Sequence, residues 1–350
     1  MALTARRPSG RAGDLRRAGS HDDSDPVLVL RALGLGDAVT GIPALRGLRR
    51  AWPGRPLVLG CRPAIGAWLQ GLGLVDDVVA VDGLAATRVL DRWRGGDERE
   101  HVAVNLHGRG PQSHLALLRT GPSALVAYSS PELGLDGPPW RADEHEVDRW
   151  CRLVESVGGR CGREDLRLTP RPRPHHEAGY VVVHPGAASG SRRWPAERFA
   201  AVVDRLVRSG HRVVVTGSAS ERSLTSVAAG RHRTLRGPGV VDAAGSLTLS
   251  DLADVVSHAD LVVSGDTGVA HLATAYERPS VVLFGPTPPR LWGPAIDPAL
   301  HTVLWHGDET FPASEPGDPH GTVLDPALAA VTVAEVLAGA ERLLVGSNVP

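Results

Sequence analysis

In Leu261-Val-Val-Ser-Gly-Asp-Thr-Gly-Val-Ala-His271 three apolar β-formers run into a turn of two glycines, an aspartate and a threonine. The residues from Val269 to Ala275 then read as a helix. A buried parallel strand, a tight loop and a helix N-terminus follow from that pattern. The open N–H groups and positive dipole end of such a helix suit a phosphate. Gly265 and Gly268 allow close backbone approach, and the hydroxyl of Thr267 adds a donor. The alternative is a plain connection in which Asp266 or Thr267 caps the helix.

Two further loops carry chemistry. Asp37 follows Ala32-Leu-Gly-Leu-Gly36 at the carboxyl end of the first strand, where α/β sheets place ligands; its alternative role is a helix cap. His107, Arg109 and Gln112 lie on a loop after a later strand and are candidates to meet a polar substrate, the alternative being a solvated loop.

These groups must be positioned by alternating strands and helices. In the first half, strands are expected at 26–31, 57–61, 78–81, 101–106 and 124–128, with helices at 38–50, 64–72, 114–119 and 145–157 and a helix-like stretch at 85–100. The segment 129–141, rich in Pro and Gly, reads as a substrate loop or a connection. Pro170-Arg-Pro-Arg-Pro174 has the stiff composition of an interdomain linker. In the second half, strands are expected at 180–186, 211–217, 240–243, 261–264 and 280–285, with helices at 196–209, 221–229, 248–257, 269–275 and 331–344. The domain plan is therefore a disordered tail (1–25), a Rossmann-like domain (26–165), a linker (166–179), a second Rossmann-like domain (180–325) and a C-terminal helix (326–350).

Composition narrows the class. The 350 residues are long enough for two cores, and a formal charge of −1 argues against a general nucleic-acid binder. All 38 basic Lys+Arg residues are arginine, so arginine can stand where relatives use lysine, with a planar fork in place of a point charge. The three cysteines match no metal or redox spacing. No run reaches transmembrane length. A reduced, cytoplasmic setting is expected, compatible with a peripheral position at the inner face of a membrane.

Read together, several short pieces carry a resemblance. They are Arg31-x-x-Gly34-x-Gly36-Asp37-x-x-x-x-x-Pro43, His184-Pro-Gly-Ala187, Arg192-Arg-Trp-Pro195, Thr216-Gly217, Ser264-Gly-Asp-Thr-Gly268-x-x-His271, Arg278-Pro279 and Phe284-Gly-Pro-Thr287. In this order and spacing the sequence resembles glycosyltransferase family 9, the ADP-heptose:lipopolysaccharide heptosyltransferases. The resemblance implies the GT-B fold, two facing Rossmann-like domains with the active site in the cleft. It implies an inverting, metal-independent transferase with no cofactor, moving a sugar from a nucleotide-diphosphate donor to a glycan or glycolipid acceptor. No Asp-x-Asp motif sits on a strand-end loop.

The implied roles fall on particular residues. Asp37 is the catalytic base. Gly36, Gly186, Ala187, Ser189, Arg192, Thr216, Gly217, Asp266, Thr267, Gly268 and His271 bind the donor, Arg192 standing where the family has lysine. Glu221 is a candidate for the ribose, or a first-turn helix acid; Leu247 is a candidate for the base, or ordinary core. His107, Arg109 and Gln112 are the acceptor-side candidates. Alternatives are a nucleotide-sugar epimerase of similar architecture and a non-catalytic nucleotide-sugar-binding protein. The oligomeric state is left open by the sequence.

Overall fold

A computed structural model describes residues 25–92, 100–172, 179–234, 239–308 and 317–346. The expected tail (1–24), parts of the linker (173–178) and of the helix-like stretch (93–99), and the last residues of the C-terminal helix (347–350) lie outside these. The chain divides into two compact units, one up to Arg141 together with Glu146–Asp165, the other of Ala142–His145 and Leu166 onward.

In the first unit β1 (Val27–Leu30) leads to α1 (Leu35–Thr40) and α2 (Ile42–Ala51), then β2 (Leu57–Cys61), α3 (Pro63–Gly71), β3 (Asp77–Ala80), a 3-10 segment (Leu84–Arg92), β4 (Val102–Asn105), α4 (Gln112–Leu118), β5 (Ala124–Val126) and α5 (Glu146–Glu155). The sheet order is β3-β2-β1-β4-β5, every pair parallel. β1 and β4 are wholly buried runs of Val, Leu and Ala ending in one polar step, as a central parallel strand requires. One expectation fails: the helix foreseen over 38–50 is two helices. A continuous helix would drive the Pro43 ring against the carbonyl of Val39. The chain instead steps at Gly41, whose N–H bonds the carbonyls of Asp37 and Ala38, and Pro43 sits in the first turn of α2.

The second unit runs β6 (Val181–His184), α6 (Ala196–Arg208), β7 (Val213–Val215), α7 (Arg222–Ala229), β8 (Arg233–Thr234), β9 (Val240–Asp242), α8 (Leu249–Ser257), β10 (Leu261–Gly265), α9 (Gly268–Ala275), β11 (Ser280–Leu283), α10 (Pro289–Trp292), β12 (His301–Leu304), α11 (Pro326–Ala330) and α12 (Val333–Gly346). Its parallel sheet has the order β12-β11-β10-β6-β7-β9-β8. Sequence reading omitted β8, α10 and β12, and the C-terminal helix expected within 326–350 is two helices, α11 and α12. The omission of β12 is physical: it is a half-buried edge strand with His and Thr in it, so it lacks the apolar run that marks the central strands.

In each sheet the chain crosses from one half to the other at one place, between β1 and β4 and between β6 and β10, and ligands bind outside the carboxyl ends of strands at such switch points. Register sets the loops level there: Leu30 pairs with Asn105, and His184 with Ser264. The second core gathers Val181, Val183, Trp194, Phe199, Val263 and Leu283 with Leu328, Val331 and Val336 from the C-terminal helices. Among the described residues no helix is long and apolar enough to cross a membrane.

Candidate active site

In the first unit the loops after β1 and β4 are held by one arginine. Arg31, 3 % exposed, directly follows β1. Its Nε donates to the carbonyl of Asp37 and its Nη1 to that of Leu106, so one guanidinium fork joins both loops. Nη2 donates to Thr40 Oγ1 at 3.1 Å and to Glu146 Oε1 at 3.3 Å, and the guanidinium lies 5.0 Å from the Trp150 ring centroid. A Cβ on Gly41 would stand 2.8 Å from Arg31 Nε, so only glycine lets the side chain pass.

Asp37 is the third residue of α1, and its Oδ2 accepts the Gly34 N–H at 3.2 Å. It therefore does part of a cap's work, as the alternative reading held, while its carboxyl remains half-buried at the switch point. Burial pushes that carboxyl up; Arg31 pulls down, Glu146 pushes up, and the Gly34 N–H pulls down, with a raised value as the net result. A carboxylate whose affinity for a proton is raised by burial is suited to general-base work.

The loop after β4 is shaped by Asn105, fully buried at the strand's end. Its amide donates to Ser113 Oγ (2.9 Å) and the Gly108 carbonyl (3.1 Å), and its Oδ1 accepts the His107 N–H (3.0 Å). His107 Nδ1 accepts the Ala32 N–H at 3.2 Å, tying this loop to that of Asp37. Burial, with Arg31 adding to it, pushes His107 down to about 4, so the ring is neutral near pH 7. Arg109 and Gln112 are exposed.

In the second unit Thr267 is the N-cap residue of α9, yet its side chain makes no capping bond, and its Oγ1 is buried without a hydrogen-bond partner. The Asp266 N–H is consumed by the Leu283 carbonyl, which anchors the loop to the sheet. Asp266 and His271 are buried, with Oδ1 and Nε2 3.9 Å apart. Arg192 ends a 3-10 turn (Gly190–Arg192) and reaches across: Nη1 is 3.4 Å from the Asp266 carbonyl and 3.8 Å from Asp266 Oδ2. A half-buried guanidinium with such long contacts, a helix N-terminus and an unpartnered hydroxyl together offer the donors and positive charge that an anion requires.

The Arg192 turn is fixed from the far end of the chain. The Ser191 N–H donates to the Gly321 carbonyl, the Ser189 hydroxyl to that of Pro319 (2.6 Å), and Trp194 Nε1 to that of Val331 (3.0 Å). A Cβ on Gly190 would fall 2.0 Å from the Thr322 carbonyl oxygen.

Beside this lies an open cavity of about 630 Å³, lined by Ala187, Arg193, Ser218, Ser220 and Glu221 among others. Glu221 Oε2 accepts the Ser218 N–H (2.8 Å) and hydroxyl (2.7 Å). Burial pushes this carboxyl up, but the Ser218 bonds, His184 and Arg193 outweigh it and hold it low, hence ionised. A Cβ on Gly186 would lie 2.3 Å from Glu221 Oε1, so a side chain there would displace the Glu221 carboxylate.

The structure thus brings Ala187 and Glu221 to one cavity, with Gly186 packed against the Glu221 carboxylate, and Arg192, Asp266, Thr267 and His271 to one neighbourhood. Thr216 is fully buried with its hydroxyl 3.0 Å from His184 Nδ1. Gly217 abuts Thr225, and Leu247 is half-buried ahead of the Thr248 cap of α8. Gly36 offers its carbonyl to Thr40. Sequence reading gave no role to Arg31, Glu146, Trp150 or Asn105. The signal for Arg31 and Asn105 was a polar residue closing an apolar strand; Glu146 had none, its partner lying 115 residues away.

The sequence profile of glycosyltransferase family 9 (heptosyltransferase) matches residues 139–313. Lipopolysaccharide heptosyltransferase 3 of Escherichia coli is 30 % identical over 173 residues, 48 % of each chain. Lipopolysaccharide heptosyltransferase 1 of Salmonella typhimurium is 30 % identical over 258 residues, 71 % of this chain and 73 % of its own. Several of the curated relatives, the first included, are matched over only about half their length. Among solved structures, ADP-heptose LPS heptosyltransferase II of E. coli superposes with a TM-score of 0.71 at 18 % identity, covering 93 % of this chain and 100 % of its own. That likeness establishes the GT-B fold.

Proposed function

Since the chain belongs to glycosyltransferase family 9, the heptosyltransferases, we propose that it transfers a sugar, heptose being the first to test, from an ADP-linked donor to a hydroxyl of a glycan or glycolipid, with inversion and without a divalent metal. The observation that carries this reading is the anion site at α9, where the buried Thr267 hydroxyl has no partner. A diphosphate supplies what the site lacks: acceptor oxygens for Thr267 and the first N–H groups of α9, and negative charge for Arg192. As the bond from the anomeric carbon to phosphate breaks, charge grows on the leaving diphosphate, and these fixed donors stabilise it without reorganising.

On the acceptor side, Asp37 takes the hydroxyl proton as the oxygen attacks the anomeric carbon from the face opposite the leaving group. A sugar hydroxyl is a weak nucleophile until that proton is removed, and the raised basicity of Asp37 serves this step. Glu221, held ionised by Ser218, suits the hydroxyls of a ribose in the neighbouring cavity. We place the enzyme in the cytoplasm, at or near the inner membrane face.

Calorimetry with ADP, UDP and GDP in EDTA tests the donor. Preference for ADP supports it; preference for another base removes ADP-heptose; no binding removes the site. ADP release from ADP-heptose that depends on an added lipooligosaccharide acceptor separates a transferase from an epimerase or a binding protein.

A further inference from the structure

We propose that Glu146 is a positioning residue for Asp37, acting through Arg31; this rests on the reading of Asp37 as the base. Glu146 stands at the start of α5 and is buried, as is Arg31. Its Oε1 accepts from Arg31 Nη2 at 3.3 Å and from Trp150 Nε1 at 2.6 Å; its Oε2 accepts from Arg149 Nε at 3.1 Å. Both oxygens are thus committed to fixed donors, and Trp150 supplies a ring to Arg31 as well as an N–H to Glu146.

The arrangement has a purpose that a bare Arg31–Asp37 pair would defeat. Arg31 must sit under the Asp37 loop, because its fork is what holds the Asp37 and Leu106 carbonyls together. A buried cation so near a carboxylate favours its ionised form and weakens it as a base. Glu146 supplies the counter-charge from the other side, so the guanidinium spends its remaining donors on Thr40 and Glu146 while its Nε meets the Asp37 carbonyl rather than the carboxylate. Other titratable or charged groups packed around these loops are Arg149 from α5, turned to Glu146 and the Arg141 carbonyl, and neutral His107 from the loop after β4.

The test is the titration of Asp37, followed by carbon NMR of aspartate-labelled full-length protein, its signal assigned by D37N. E146Q removes the counter-charge, so the Asp37 midpoint falls, and the acid limb of the pH–rate profile for transfer from ADP-heptose to lipooligosaccharide moves to lower pH with it. E146D keeps the charge and restores the midpoint, which a purely structural role for Glu146 would not do. Should E146Q not fold, W150F is read in its place: Glu146 loses the N–H that fixes its Oε1, its counter-charge is no longer held at Arg31, and the Asp37 midpoint falls. An unchanged midpoint in the folded variant overturns the assignment. The titration needs no turnover, so a protein that transfers nothing refutes the glycosyl-transfer reading while the midpoint still decides this one.

Discussion

Replacing Thr267 with valine separates a structural hydroxyl from a ligand-binding one by the sign of two effects. The residue is the N-cap of α9 with extended backbone angles (φ −144°, ψ 171°), which a β-branched side chain accepts. Valine is nearly isosteric, so no cavity opens. A threonine that caps its helix is worth about 1 kcal/mol, lost on removal of the hydroxyl. Here the side chain makes no capping bond and Oγ1 is buried without a partner. A buried polar group left in that state costs about 1–3 kcal/mol. T267V is therefore expected to leave the ligand-free protein as stable as before or somewhat more stable. Binding of ADP moves the other way. A hydrogen bond to a charged oxygen is worth about 1.5–3 kcal/mol, a loss of roughly 10- to 150-fold in affinity. Denaturant melts of the ligand-free protein and calorimetric titration with ADP in EDTA read the two effects. A variant that loses ~1 kcal/mol of stability and binds ADP as before would refute the reasoning, since the hydroxyl would then be a cap.

Other expectations follow from the same geometry. Asp37→Asn should keep ADP affinity while transfer falls by about 10²–10⁴-fold, measured as acceptor-dependent ADP release. Arg192→Ala should weaken ADP binding more than Asp37→Asn does, and unchanged affinity would remove Arg192 from the phosphate site. Burial holds His101, His107 and His301 down at about 4 against an ordinary 6.5. Between those values the unfolded chain binds more protons than the folded one, so thermal stability should fall as pH drops from 6.5 towards 4; a flat melting temperature across that range would contradict it.

Much of this was legible in the sequence because central parallel strands are apolar on both faces and stand out as runs such as Val27–Leu30 and Val181–Val183, each followed by a glycine-bearing loop. The Thr248 capping box of α8 was equally readable, since its chemistry is confined to four residues. What escaped was set at long range or by a weak pattern. The break at Gly41 was written in Pro43, since a helix accepts proline only in its first turn and so must start anew just before it. Arg31 reads as one arginine among many until β4 and α5 bring Leu106 and Glu146 to it. Arg109 and Gln112, read as acceptor-side candidates, are exposed on the loop after β4 and at the start of α4, while His107 is turned inward to Ala32.

The Arg192 turn has a consequence for how the protein is made. Its closing bonds come from Pro319, Gly321 and, 137 residues beyond Trp194, Val331. During synthesis from the N-terminus, the loop and most of the sheet that carries it leave the ribosome long before those carbonyls exist. The first unit can complete its own arginine-held loops much earlier, since its last strut, Glu146, precedes the second sheet entirely. A ribosome-bound chain halted short of residue 331 would then hold the completed arginine-held loops of the first unit beside an Arg192 turn still lacking the Val331 bond to Trp194.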